Sequence, residues 1–195
     1  MLPVSETSTL RACKKNIREY LSRIKGGTKG PPRVGLNEVL WSWLGSVTAV
    51  CTCGYLSLRY FEQNNLMLMT APLGASAVLV FGTIKSSFAQ PRNLIGGHVI
   101  SGLIGVVCYQ LFGESAIMAA GLAVSLATAA MLVTKTVHPP GGATALIAVI
   151  GDKRIHDLSF IYPFVPAGLG ACILLIFALV FNNLSKTRRY PEYWF

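Results

Sequence analysis

"TKTVHPPGGATALIAVIGDK", residues 134–153, sets a histidine, two prolines and two glycines against an apolar run of about a dozen residues. A helix of that length spans roughly 18 Å, well short of a hydrocarbon core of about 30 Å. Proline is favoured in the first turn of a helix and disruptive further in, so Pro140 predicts a helix start at that point. The residues ahead of a proline are pushed toward extended backbone. Residues 135–139 therefore read as an extended lead, and five such residues add roughly 16 Å. Lead and helix together match the thickness of a bilayer, so a broken segment can cross where a plain helix of this length cannot.

The same pattern occurs earlier in the chain. "APLGASAVLVFG" at 71–82 aligns without gaps to the start of "PPGGATALIAVIG" at 139–151, pairing Pro72 with Pro140, Gly74 with Gly142, Ala75 with Ala143, Ser76 with Thr144 and Ala77 with Ala145. Around these stretches the chain is one apolar segment after another, at 38–58, 66–84, 94–112, 116–134, 138–151 and 160–182, with 52% hydrophobic and 13% charged residues over its 195 positions. That composition belongs to a polytopic membrane protein. The two matched stretches are the second and fifth of six segments. Each repeat unit then holds three segments, an odd number, and the second unit must be inverted relative to the first. The expected fold is all-α, a 3+3 inverted repeat whose second and fifth segments are broken or half-helical. Residues 1–35 form a cytoplasmic arm and Gly/Pro linker, 36–113 the first unit, 114–184 the second, and 185–195 a basic and aromatic tail.

The net charge of +9 follows membrane topology rather than nucleic-acid binding. For six spans, fourteen Lys and Arg fall on one side and three, Arg59, Lys153 and Arg154, on the other. The positive-inside bias puts both termini in the cytoplasm, and the expected setting is a bacterial plasma membrane. Over 9–25, Leu10, Ile17, Leu21 and Ile24 form one stripe flanked by Lys14, Lys15, Arg18 and Arg23, as in a helix lying on an anionic lipid surface or docking a partner. Arg188, Arg189, Tyr190, Tyr193, Trp194 and Phe195 read as an interfacial anchor. The five cysteines lie mostly in apolar segments, and Cys51 and Cys53 point away from one another on a helix, so neither a disulfide framework nor a metal site is expected.

Two helix starts at bilayer depth bring unpaired N–H groups and positive dipole ends into the protein interior, which is an anion-binding arrangement. The expected site comprises Pro72, Gly74, Ala75, Ser76, His138, Pro140, Gly141, Gly142, Ala143 and Thr144. The glycines admit a ligand to the backbone, and Ser76 and Thr144 add hydroxyls. His138 can titrate, bond an anion, assist proton coupling, or simply hold backbone at a helix start. Lys135, Arg92, Asn93 and His98 are candidates for a vestibule, although Lys135 can equally snorkel to headgroups and His98, after two glycines, can serve packing. Glu38, Glu62, Glu114 and Asp152 all fall at segment edges, which argues against a carboxylate relay or cation site. The plainer alternative is that the Pro-x-Gly-Ala-Ser/Thr-Ala pattern only permits close packing of kinked helices.

His138-Pro139-Pro140-Gly141-Gly142-Ala143-Thr144-Ala145 resembles the signature of the HPP family of integral membrane proteins. "AQPRNLIGGH" at 89–98 and "NNLSKTRRYPEYWF" at 182–195 carry the likeness from about residue 36 to the end. The resemblance implies a multi-pass protein, usually described with four spans, some of whose relatives in cyanobacteria and chloroplast envelopes are associated with nitrite transport. The expected function is thus a transporter or channel for a small monovalent anion, with nitrite as the implied substrate. It would work without a cofactor or metal, contact lipid rather than nucleic acid, and assemble as a homo-oligomer. The alternative is a non-transporting membrane module. No nucleophile, base and orienting group gather in the sequence, so an enzyme is not expected.

Overall fold

The computed structural model describes residues 15–25, 27–61 and 70–195, and these are all-α, without a strand among them. The described residues fall into two units, one ahead of Gly35 and one over 35–195. In the first, helix α1 covers 15–24, with Ile17, Leu21 and Ile24 exposed. The expected stretch 9–14 of the arm, including Leu10 and Lys14, lies outside the described residues, as do Glu62 and the expected lead 66–69.

The second unit holds α2 (Leu36–Phe61), α3 (Ala71–Gly82), α4 (Pro91–Phe112), α5 (Ala116–Val133), α6 (Pro139–Ile150), the short α7 (Lys153–Leu158) and α8 (Pro163–Leu184). Helices α2, α4, α5 and α8 are long and apolar enough to cross a membrane, whereas α3 and α6 are apolar but shorter. This reconciles four long spans with six apolar segments.

Proline sets the short helices, as the sequence requires. Thr70 is extended at φ −114°, ψ 153° ahead of a helix with Pro72 in its first turn. His138 is extended at φ −140°, ψ 103°, and Pro139 and Pro140 open α6. The lead into α6 is shorter than the expected 135–139. Lys135 takes a left-handed φ of 57°, and it closes α5 with bonds from Lys135 N–H to the Leu132 carbonyl at 3.3 Å and Thr136 N–H to the Met131 carbonyl at 2.8 Å. Such a pair satisfies the last carbonyls of a helix at its end, and only Thr136–His138 is left to reach α6. Beyond α6, Asp152 caps α7 by accepting from Arg154 N–H at 3.1 Å and Ile155 N–H at 3.4 Å. The hydrogen bond from the Arg154 side chain holds the Asp152 carboxyl below its ordinary range.

The helices pack in an exchanged order. One core joins Ala49 of α2, Leu73, Val80 and Phe81 of α3, and Ala171 and Leu174 of α8. Another joins Cys108 of α4, Ala119, Ala123 and Ala127 of α5, and Ala145 and Val149 of α6. The third helix of each sequence unit therefore packs on the first two of the other unit. Small residues make this possible, because lipid supplies little hydrophobic drive between helices and close backbone contact must replace it. At Gly105 an added Cβ would lie 2.6 Å from the Ala145 carbonyl oxygen.

The tail corrects an expectation. Arg188 and Tyr190 are buried, at 8% and 2% exposure, rather than seated at a lipid interface. The Arg188 guanidinium meets Glu38 Oε2 at 2.8 Å and the Glu38 carbonyl and Ser42 Oγ at 2.6 Å each, and reaches Asn182 Oδ1 at 3.0 Å. The Tyr190 hydroxyl donates to the Ala89 carbonyl at 2.7 Å. Inside a helical bundle a charge needs such a full set of acceptors, so the tail folds back as a strap across the ends of α2, α3 and α8. Tyr193, Trp194 and Phe195 stay exposed.

Arg188→Ala removes one partner of a mostly buried pair and is expected to destabilise the folded bundle by about 3 kcal/mol. Denaturant unfolding in detergent micelles, followed by helical circular dichroism, measures this; an unchanged midpoint would show that the strap contributes nothing to stability.

Candidate functional site

The matched hydroxyls of the two broken segments come together on one imidazole. His98, in α4, holds Ser76 Oγ against its Nε2 at 2.8 Å and Thr144 Oγ1 against its Nδ1 at 2.6 Å. Each hydroxyl also lies near the carbonyl of the proline one turn earlier, Ser76 to Pro72 at 3.0 Å and Thr144 to Pro140 at 3.2 Å. The positions paired by sequence thus have the same local geometry and face the same side chain. His138 completes the cluster, with Nε2 2.8 Å from Ser76 Oγ and Nδ1 2.7 Å from the Phe88 carbonyl oxygen. The two rings meet edge to face with centroids 5.1 Å apart. Ser76, His98 and His138 have no exposed surface and Thr144 has 1%.

Each residue arrives there for a local reason. Ser76 and Thr144 stand one turn past a proline, on the inner faces of α3 and α6. His138 is fixed in the extended conformation that precedes proline. His98 lies two turns inside α4, about 10 Å from its start at Pro91. This is why it does not lie in a vestibule, as expected, but at the centre. The preceding glycines seat the lead: a Cβ on Gly96 would lie 2.7 Å from Thr136 Cγ2, and one on Gly97 would overlap His138 Cβ.

The remaining expected residues divide. Gly141 is buried against α4, where a Cβ would lie 2.7 Å from the Gly97 carbonyl oxygen and 2.8 Å from Ser101 Oγ. Gly142 and Ala143 are half-buried, while Gly74 and Ala75 lie on the exposed face of α3, away from the cluster. Pro72 and Pro140 are buried and supply carbonyls. Lys135 is exposed. Arg92 donates to the Thr134 carbonyl at 2.7 Å, and Asn93 Nδ2 to the Val137 carbonyl at 2.8 Å, so both brace the lead into α6.

The helix starts pass side by side instead of meeting tip to tip. Ser76, in the second turn of α3, faces His138 at the start of α6, whereas Thr70 and Ala71 at the start of α3 border a cavity of about 260 Å³ with Ile147 and Gly151 at the end of α6. Few backbone donors remain at these starts. Pro139 and Pro140 carry no N–H, Gly141 N–H is bonded to the His138 carbonyl at 2.8 Å, and Leu73 N–H to the Thr70 carbonyl at 3.0 Å. The polar groups left to meet a ligand are the imidazoles and hydroxyls, and each is already hydrogen-bonded within the cluster. Sequence reasoning missed three participants: the Phe88 carbonyl, Ser101 against Gly141, and Tyr162, whose hydroxyl donates to the Thr144 carbonyl at 3.0 Å. Only Ser101 carried a signal, one turn after His98 on the same helix face.

Residues 31–191 match the HPP transmembrane region. The chain belongs to the HPP family. It is an integral membrane protein, and the histidine–hydroxyl cluster is built from α6 and its lead together with α3 and α4. Two transmembrane proteins of Dictyostelium discoideum are similar to it. One is 40% identical over 179 residues, covering 90% of this chain and 57% of its own length. The other is 41% identical over 192 residues, covering 95% of this chain and 67% of its own length. No solved structure matches the chain.

Gly141→Ala places a methyl against the α4 backbone, which cannot yield as a flexible side chain does. It is expected to destabilise the bundle by about 1–3 kcal/mol, as overpacking does, whereas Gly74→Ala, with no atom within 4 Å of the added Cβ, should not destabilise it. Parallel unfolding of the two variants in micelles tests the contrast, and equal losses would refute it.

Proposed function

We propose that this HPP protein moves a small monovalent anion across the membrane, with nitrite the substrate implied by the family resemblance. The observation that carries the reading is the location of two imidazoles and two hydroxyls, fully enclosed among apolar helices. Polar and ionisable groups are expensive at that depth and mark transport pathways far more often than packing. The cluster holds hydroxyl and imidazole hydrogens without a carboxylate, which suits an anion once its internal hydrogen bonds open. No enzymatic step, cofactor, metal or nucleic acid enters this reading; its partners are the anion, surrounding lipid and further copies of the chain in a homo-oligomer.

The exchanged packing of α4 and α8, and the matched contacts of Ser76 and Thr144 with His98 and with the proline carbonyl one turn earlier, support an inverted 3+3 repeat in which α3 and α6 cross as broken segments. The basic residues favour cytoplasmic termini. The named relatives come from a eukaryote, and they lend no support to a bacterial plasma membrane. A second reading is favoured by the closed hydrogen bonding at both helix starts and the fit of Gly141 against Gly97: a non-transporting module in which the cluster fixes helix register.

Anion flux into proteoliposomes separates the two, with nitrite, nitrate, formate, chloride and bicarbonate tested at a set membrane potential. Selective flux is expected, falling at least about tenfold in Thr144→Val, equivalent to about 1.4 kcal/mol of barrier. The variant should lose only about 1–3 kcal/mol of stability from the unpaired His98 nitrogen. No flux from folded, inserted protein would favour the module.

A further inference from the structure

Hydrogen counting in the buried cluster leads beyond anion transport. Its members make six polar contacts: Ser76 with Pro72, His98 and His138, Thr144 with His98 and Pro140, and His138 with Phe88. Every contact requires one hydrogen. Two hydroxyls and two neutral imidazoles supply four. In the neutral state the Phe88 carbonyl, which only accepts, fixes the hydrogen on His138 Nδ1. The placement that leaves no imidazole nitrogen against a bare oxygen then has His138 Nε2 accept from Ser76, Ser76 from His98 Nε2–H, and His98 Nδ1 from Thr144, with neither hydroxyl directed at a proline carbonyl.

One added proton fills a fifth contact on either ring. On His138, Nε2–H donates to Ser76, whose hydroxyl turns to His98 Nε2, while His98 carries its hydrogen on Nδ1 and donates to Thr144, which turns to the Pro140 carbonyl. On His98, Nδ1–H donates to Thr144, whose hydroxyl turns to the Pro140 carbonyl. Passage between the rings is balanced: the His98 Nε2–H bond breaks as a new O–H bond forms at Ser76, the former Ser76 O–H bond breaks, and N–H forms at His138 Nε2. A single positive charge moves and nothing else is exchanged. A second proton would fill the last contact, but it would set two cations with ring centroids 5.1 Å apart.

Among the described residues, no fixed charge contacts the rings. Helices α3, α5, α6 and α8 contain no Asp, Glu, Lys or Arg. The one charged residue of α4, Arg92, is bonded to the Thr134 carbonyl, Lys85 in the turn before α4 is exposed, and α2 carries Glu38 and Arg59 only near its ends. The other titratable group touching the cluster is Tyr162, whose hydroxyl donates to the Thr144 carbonyl at 3.0 Å.

We propose that Ser76, His98, His138 and Thr144 form a proton-binding centre that shares one proton between the two imidazoles, and that this proton accompanies the transported anion. The second clause rests on the transport reading above; the first does not. A cationic imidazole would supply the charge complementary to the anion, and the anion would relieve the cost of a buried cation, so each should favour binding of the other.

The centre is tested on the full chain in lipid nanodiscs by nitrogen-15 spectroscopy of labelled histidine, from about pH 8 to about pH 3, with and without nitrite. His156→Asn identifies the third histidine. One of the two buried rings is expected to become doubly protonated while the other keeps a single N–H, with nitrite moving the midpoint upward. Ser76→Ala should uncouple the rings, and Ser76→Thr, the residue found at the matched position, should restore coupling. Two rings that each keep one bare nitrogen throughout, with or without nitrite, would overturn the centre, as would a titration unchanged by Ser76→Ala. In proteoliposomes containing a pH dye, an inward nitrite gradient is expected to acidify the lumen beyond protein-free vesicles. Nitrite entry without protons would overturn the coupling and leave the transport reading standing. Coupled titration without anion flux would overturn the transport reading and leave the centre standing.

Discussion

A bilayer offers no water to a buried polar group, so every donor and acceptor brought to its depth must find a partner in the protein. Here that requirement converges on His98. Its two nitrogens face opposite ways, and each is met by a hydroxyl one turn past a proline, from helices 68 positions apart in sequence. Those prolines define where α3 and α6 begin, and the beginnings define where the hydroxyls stand. The glycines of α4 and α6 remove side chains that would hold the helices apart. The position of the imidazole and the packing of the bundle are therefore solved together, because a shift of either helix by one residue would turn its hydroxyl away from the ring.

Much of this was legible because proline and hydropathy act locally. The six apolar segments, the helix starts near Pro72 and Pro140, and the pairing of Ser76 with Thr144 all follow from residues within one or two turns. What escaped depended on distant chain. Nothing near His98 reveals that it faces both hydroxyls, and its place near the start of α4 favoured a peripheral role. The contact with the Phe88 carbonyl is made across 50 residues, by a backbone atom that has no sequence signature. Arg188 misled for a related reason. A basic residue beside aromatics matches an interfacial anchor, and only the fold shows the acidic and carbonyl acceptors waiting for it at α2.

The arrangement of helix starts was also decided by packing. Dipoles alone would favour an anion between two facing tips, but proline removes two of the donors at α6 and the short helices gain more contact by lying alongside one another. The side chains then take over the role that free backbone N–H groups would have had. A hydroxyl or an imidazole can reverse its hydrogen bond by rotation or by exchange of a tautomer, which an amide cannot. The polar centre is consequently adjustable in hydrogen placement while the backbone around it stays fixed.

The strap formed by the tail bears on how the bundle is completed during synthesis. Arg188 and Glu38 are separated by 150 residues, and chains are made from the amino end. The first long helix must enter the membrane with its acidic side chain unmatched, and it stays so until every later segment has been inserted. Closing that pair has to wait for α8 and the residues after it, which makes the strap a latch on the assembled helices rather than a guide to their early steps.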